Sequence, residues 1–171
     1  MSDKLFQSTN LYLRRFTADD GPFIFELLNT PTWKQFIGDR NINTHHDAVN
    51  YITNGPQGLY AKYGYGPWLV SLNNTGEPIG MCGLFKREYL DKPDLGFAFL
   101  PGFEGRGFAY EACLASLQYI KDAYKVDKIF ATTTDANVRS QRLLERCGFV
   151  SNGLVSPPGE APLLLYVLTL Q

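Results

Sequence analysis

Hydrophobic and polar positions alternate, cluster and break along this chain in a pattern that predicts a mixed α/β domain. Leu11 and Leu13 flank Tyr12 in a short first strand. Thr17-Ala18-Asp19-Asp20 resembles a capping box, and Phe23, Ile24, Leu27 and Leu28 continue it as a helix. Pro31 interrupts, and Trp33 to Ile37 form a second helical piece stopped by Gly38. Thr44 opens another helix, with Ala48, Tyr51 and Ile52 on its buried face and Gly55 as its stop. The glycines between Gly55 and Gly66 predict a loop. Trp68 to Leu72, the turn Asn73-Asn74-Thr75-Gly76 and Ile79 to Phe85 predict a hairpin.

The second half changes period. Asp94 to Leu100 is a strand, and a short loop holding Pro101, Gly102, Gly105 and Gly107 follows. A helix then begins near Phe108, with Ala109, Ala112, Cys113, Leu117, Ile120 and Tyr124 on one stripe. Lys128 to Thr133 is a strand, Asp135 caps a helix from about Asn137 to Cys147, and Leu163 to Leu170 closes the chain as a strand. A strand–helix–strand crossover forces its two strands parallel if they share a sheet. The expected fold is a mixed sheet, mostly antiparallel, in one domain spanning residues 1–171.

Composition narrows the function by exclusion. The 171 residues carry a net charge of −1, which gives no sign of a nucleic-acid partner. No apolar run is long enough to span a bilayer, and MSDKLFQSTN lacks a signal-peptide core, so a cytoplasmic protein is expected. Cys82, Cys113 and Cys147 each sit in an apolar stretch and read as buried free thiols. His45 and His46 have no accompanying metal-ligand spacing, and no metal site is expected.

The strand, glycine loop and helix start from Asp94 to Leu117 make a place where backbone N–H groups converge on an anion. A Walker A loop is absent, since no Gly-Lys-Ser or Gly-Lys-Thr occurs. The dinucleotide fingerprint also fails: Tyr110 stands where the third glycine belongs. Glu104-Gly105-Arg106-Gly107-Phe108-Ala109 instead fits the pattern [Q/R]-x-x-G-x-[G/A] apart from its first position. This resembles the GNAT superfamily of N-acetyltransferases. Thr9-Asn10-Leu11-Tyr12-Leu13-Arg14, Pro78-Ile79-Gly80, Asp94-Leu95-Gly96-Phe97 and the run Asn137, Ser140, Leu144-Glu145, Gly148-Phe149 resemble its ribosomal-protein N-terminal (RimJ/RimL-like) group. The similarity covers about residues 9 to 170.

The resemblance implies a central twisted sheet with helices on both faces. Acetyl-coenzyme A would lie between two splayed parallel strands, here Asp94–Leu100 and Lys128–Thr133. Backbone groups around Phe99 and Leu100 would hold the pantetheine arm as an added strand does. The pyrophosphate would sit on Glu104, Gly105, Arg106, Gly107, Phe108 and Ala109. Asn137 would hydrogen-bond the pantetheine, or serve only as a helix cap. Many superfamily members carry a Tyr seven residues beyond this Asn; here Leu144 occupies that position, and Ser140 is the candidate proton donor to the departing sulfur. Glu88, Asp91 and Asp94 are the candidate bases, and Glu111 a stabiliser of the helix start. Trp33, Phe36 and Tyr65 are candidates to line the acceptor cleft. The acceptor is a primary amine, on a protein N-terminus or a small molecule. A non-catalytic acyl-coenzyme A-binding module is the alternative, and a homodimer stays open.

Overall fold

The computed structural model describes residues 3–170. Strands β1 (Phe6–Gln7), β2 (Leu11–Arg15), β3 (Pro67–Leu72), β4 (Pro78–Phe85) and β5 (Asp94–Phe99) run antiparallel, each beside the next. Beyond them lie β6 (Lys128–Thr133), β8 (Leu163–Thr169) and, at the edge, β7 (Val150–Val155). The junction of the two groups is the parallel pair β5–β6, which holds register only at Asp94 and Phe130. Past that point the strands part.

Helices cover both faces. On one lie α1 (Gly21–Leu28), α2 (Pro31–Phe36), α3 (His45–Asn54) and α4 (Pro56–Tyr63). On the other lies α5 (Phe108–Ala123), with α6 (Val138–Arg146) beside it. Strand alternation divides the core accordingly. Leu69 and Met81 meet Ile24, Leu27 and Ile52, while Trp68, Val70 and Cys82 join Cys113, Leu117 and Ile120. Burial of each such Leu or Ile is worth roughly 1.5–3 kcal/mol, so β3 and β4 are held from both sides.

Caps explain several element ends. Thr44 Oγ1 accepts from Asp47 N–H, and Asp47 Oδ2 accepts from Thr44 N–H, both at 3.0 Å. The segment expected as loop after Gly55 is instead helix α4: Pro56 supplies the first-turn φ, and Gly64 ends the helix in the left-handed conformation at φ 79°. The cap of α6 is Asn137 rather than Asp135. Strands β1 and β7 were not among the predicted elements: one is two residues long, and the other is exposed on both sides for most of its length. The three cysteines are free and gather between β4, α5 and α6. Cys82 Sγ lies 3.9 Å from Cys113 Sγ, and Cys147 is only partly buried. No described helix is long and apolar enough to cross a membrane.

Candidate active site

The parting of β5 and β6 opens a cleft of about 1500 Å³. Its walls carry main-chain groups that no strand satisfies. Leu100 N–H donates to Ile79 O of β4 at 2.9 Å, so the even-numbered residues of β5 bond toward β4. Phe97 and Phe99 therefore turn their N–H and C=O into the gap. By the same alternation β8 takes the odd-numbered residues of β6, with Leu170 N–H donating to Asp127 O at 2.8 Å, and Thr132 faces the gap from the other side. Both backbone groups of Leu100 are engaged, since its carbonyl accepts from Phe103 N–H at 2.9 Å. Of the two residues expected to bind through the main chain, Phe99 is the one free to do so.

At one end of the cleft stands the N-terminus of α5. Gly105 and Gly107 have φ of 72° and 84°, a region L side chains rarely adopt, and Gly107 caps the helix. The first intrahelical bond runs from Glu111 N–H to Gly107 O at 3.1 Å, so the N–H groups of Phe108, Ala109 and Tyr110 have no partner within the helix. A Cβ on Gly107 would meet nothing within 4 Å, which leaves open space for a ligand against bare backbone. Glu104 does not project its charge there unopposed: Arg139 of α6 lies 3.5 Å from its carboxylate. Arg106, expected at the pyrophosphate, is not among the residues lining the cleft; its guanidinium lies over Phe103 and Phe108 at 5.4 and 5.1 Å. A splayed strand pair with free main-chain groups, followed by an anion-receptive helix start, fits the pantetheine and pyrophosphate of acetyl-coenzyme A.

Asn137 and Ser140 both line the cleft. Asn137 Oδ1 accepts from Ser140 N–H at 3.2 Å, capping α6, and its amide NH2 remains as a donor. Leu144, at the position of the absent Tyr, is buried in the core. Glu111 fixes the N-terminal segment to the start of α5: its carboxylate accepts from Asn10 N–H at 2.8 Å, from Asn10 Nδ2 at 2.9 Å and from Ser8 Oγ. Partial burial alone would raise its pKa, but these bonds outweigh it and hold the carboxyl below its ordinary value.

The three candidate bases separate clearly. Asp91 is exposed and outside the cleft, and Glu88 lines it but is exposed. Asp94 is 4 % exposed, lines the cleft, and stands where β5 and β6 diverge. Its Oδ1 has no hydrogen-bond donor, and Arg87 Nε lies 3.7 Å away. Burial pushes its carboxyl up to about 6, against the opposing pull of Arg87. Trp33 and Phe36 line the other half of the cleft with Tyr51, Phe85 and Tyr89. Tyr65 lies instead in the core, stacked on Tyr63. Tyr51 was expected on the buried face of its helix and instead lines the cleft, and Tyr89, in a polar connection, gave no sign of a shared wall.

The chain was compared with known proteins. Residues 10–150 match the family described as acetyltransferase (GNAT) domain. The uncharacterized N-acetyltransferase YoaA of Bacillus subtilis is 24% identical over 152 residues, covering 88% of this chain and 85% of YoaA. RimL, a ribosomal L7/L12 alpha-N-protein acetyltransferase solved with coenzyme A, superposes with a TM-score of 0.84 at 16% identity, over 98% of both chains. An aminoglycoside acetyltransferase, also solved with coenzyme A, superposes with a TM-score of 0.77 at 22% identity, over 93% of this chain and 94% of that one. At these identities the two structures speak for the fold, and the match across residues 10–150 places the chain in its family. It belongs to the GNAT acetyltransferases and is an acetyl-coenzyme A-dependent N-acetyltransferase.

Proposed function

We propose that this enzyme passes acetyl directly from acetyl-coenzyme A to a primary amine in a ternary complex, and that the amine is the N-terminus of a protein. The observation that carries the reading is Asp94: a buried carboxylate oxygen without a hydrogen-bond donor, at the fork of the two strands. An ammonium does not attack a carbonyl, so the acceptor must lose a proton as it reacts. Asp94 takes that proton, directly or through one water. Its carboxyl, held near 6, is ionised at neutral pH yet basic enough to accept it.

The other residues hold and orient. Phe97 and Phe99 pair with the pantetheine amides, and one of their N–H groups faces the thioester oxygen, where negative charge develops. Gly105, Gly107 and the N–H groups of Phe108 and Ala109 receive the pyrophosphate. The Asn137 amide donates to the pantetheine arm. Ser140 donates a proton to the departing sulfur; a thiol of pKa roughly 8.5 is already a fair leaving group, so this help is modest. Placing amine and thioester together supplies much of the rate.

The likeness to RimL supports a protein N-terminus as acceptor. A small-molecule amine is the second reading, supported by the aminoglycoside acetyltransferase of the same fold. Purified protein, acetyl-coenzyme A, and parallel panels of N-terminal peptides and small amines decide between them by thiol release. Release with peptides alone is expected. Tight coenzyme A binding with no amine-dependent release would instead identify a binding module without catalysis.

A further inference from the structure

The half of the cleft away from α5 carries a charge pattern that the transfer chemistry does not require. The whole cleft is lined by seven cationic side chains against four carboxylates, in a chain whose net charge is −1. Three of the cations, Arg139, Arg142 and Arg146, lie on α6 at the donor end. Arg40, Lys62, Lys86 and Arg87 line the acceptor half, where the carboxylates are Asp94 and the exposed Glu88 and Glu160.

Two of these cations converge. Arg40, which is exposed, and Arg87 line the same cleft as Tyr51, and both charges act against the burial that raises the pKa of the Tyr51 hydroxyl. Arg87 is held in place: its guanidinium lies 4.5 Å from the Phe85 ring centre, with its Nε side toward Asp94. The Phe85 ring in turn rests on Gly96, where a Cβ would come within 2.6 Å of it. Nε facing Asp94 leaves the two terminal amino groups of Arg87 for another partner. Arg40 makes no salt bridge among the described residues. Lys86 is committed, since its ammonium donates to the carbonyls of Arg87 and Leu90.

We infer that Arg40 and Arg87 form an anion subsite beside the Tyr51 hydroxyl, and that the acceptor carries a carboxylate or phosphate close to its reacting amine. A planar guanidinium pair fits either oxyanion. The same two charges would repel a cationic group placed beside them. The inference rests on the transferase reading above and narrows it. On a protein N-terminus the anion is an Asp or Glu side chain within the first few residues; on a small molecule it is the molecule's own carboxylate or phosphate.

The test compares kcat/KM for the intact enzyme, with saturating acetyl-coenzyme A, across two matched sets. One set is the peptides Ala-Glu-Gly-Gly, Ala-Gln-Gly-Gly and Ala-Lys-Gly-Gly as C-terminal amides. The other is phosphoethanolamine against ethanolamine. The acidic member of at least one set should lead its neutral partner by about tenfold or more, and added salt should narrow that lead. Which set shows the lead identifies the source of the anion. Arg40→Glu should abolish or reverse the preference while leaving coenzyme A affinity unchanged. Turnover of neutral or basic members equal to or faster than acidic ones overturns the subsite but leaves the transferase reading standing. Thiol release by none of the amines overturns both.

Discussion

Replacing Asp94 by Asn separates catalysis from stability in a way few substitutions do. The carboxyl is almost fully buried, its Oδ1 has no donor, and its pKa is raised from 3.8 to about 6. A raised carboxyl pKa means that the native state binds the proton more tightly than the unfolded chain. The stabilising effect of that proton is complete below about pH 4 and is lost as pH rises through 6. At pH 8 the ionised group therefore costs the fold about 3 kcal/mol, at 1.36 kcal/mol per unit. Asn has nearly the same shape and cannot ionise. Arg87 loses a partner but is 36% exposed and stays hydrated. The variant should melt about 5–10 °C above the parent at pH 8 and alongside it near pH 4. Over the same range kcat/KM should fall by about 10²- to 10³-fold. The parent's pH–rate profile should show an ascending limb near 6 that the variant lacks, while a limb near 8 belonging to an N-terminal amine persists in both. Thermal melts and thiol-release assays across pH 4–9 measure both effects. A variant that keeps the parental rate, or that gains no stability at pH 8, refutes the assignment of a strained, ionised base.

Three further substitutions test other parts of the site. Gly107→Asp should weaken coenzyme A binding on the order of 100-fold by calorimetry, whereas Gly107→Asn, which tolerates the left-handed backbone without the charge, should lose much less; equal losses would show strain alone. Ser140→Ala should lower kcat by about tenfold and leave coenzyme A affinity within about twofold, at the low end of acid catalysis; an unchanged kcat removes Ser140 from the reaction. Glu111→Ala leaves the donors of Asn10 and Ser8 without their acceptor and should cost about 1–3 kcal/mol at neutral pH. Because the Glu111 pKa is lowered on folding, that loss should shrink as pH falls through the ordinary carboxylate range; equal melting temperatures at pH 7 would refute the clamp.

Most of the frame was legible because its signals are local. The hairpin around Asn73–Gly76, the apolar stripe of α5 and the glycine loop before it each follow from period and turn chemistry. Helix α4 was hidden by Gly55, Gly58, Gly64 and Gly66, of which only Gly58 lies inside the helix while Gly55 and Gly64 cap it. The resemblance pointed to the main chain of Phe99 and Leu100 but not to that of Phe97 or Thr132, since a strand's sequence does not say where its neighbour leaves it. Asp94 looked like any acid at a strand start. Its burial comes from strands and loops distant in sequence, and so does the ranking of Asp94 above Glu88 and Asp91. The unusual Glu104 likewise found its partner, Arg139, on a helix 35 positions later.

The parting of β5 and β6 has a mechanical consequence. With one pair in register at Asp94 and Phe130, the five strands before the break and the three after it share a sheet only at its base. Further up, a bound pantetheine would take the place of the missing ladder between them. Donor binding would then complete the sheet, coupling two blocks that are otherwise joined at one corner. The amides of Phe97, Phe99 and Thr132 should exchange quickly with solvent in the free protein and slowly in its complex with coenzyme A. On this view acetyl-coenzyme A is, for the duration of each cycle, part of the tertiary structure, and product release reopens the seam.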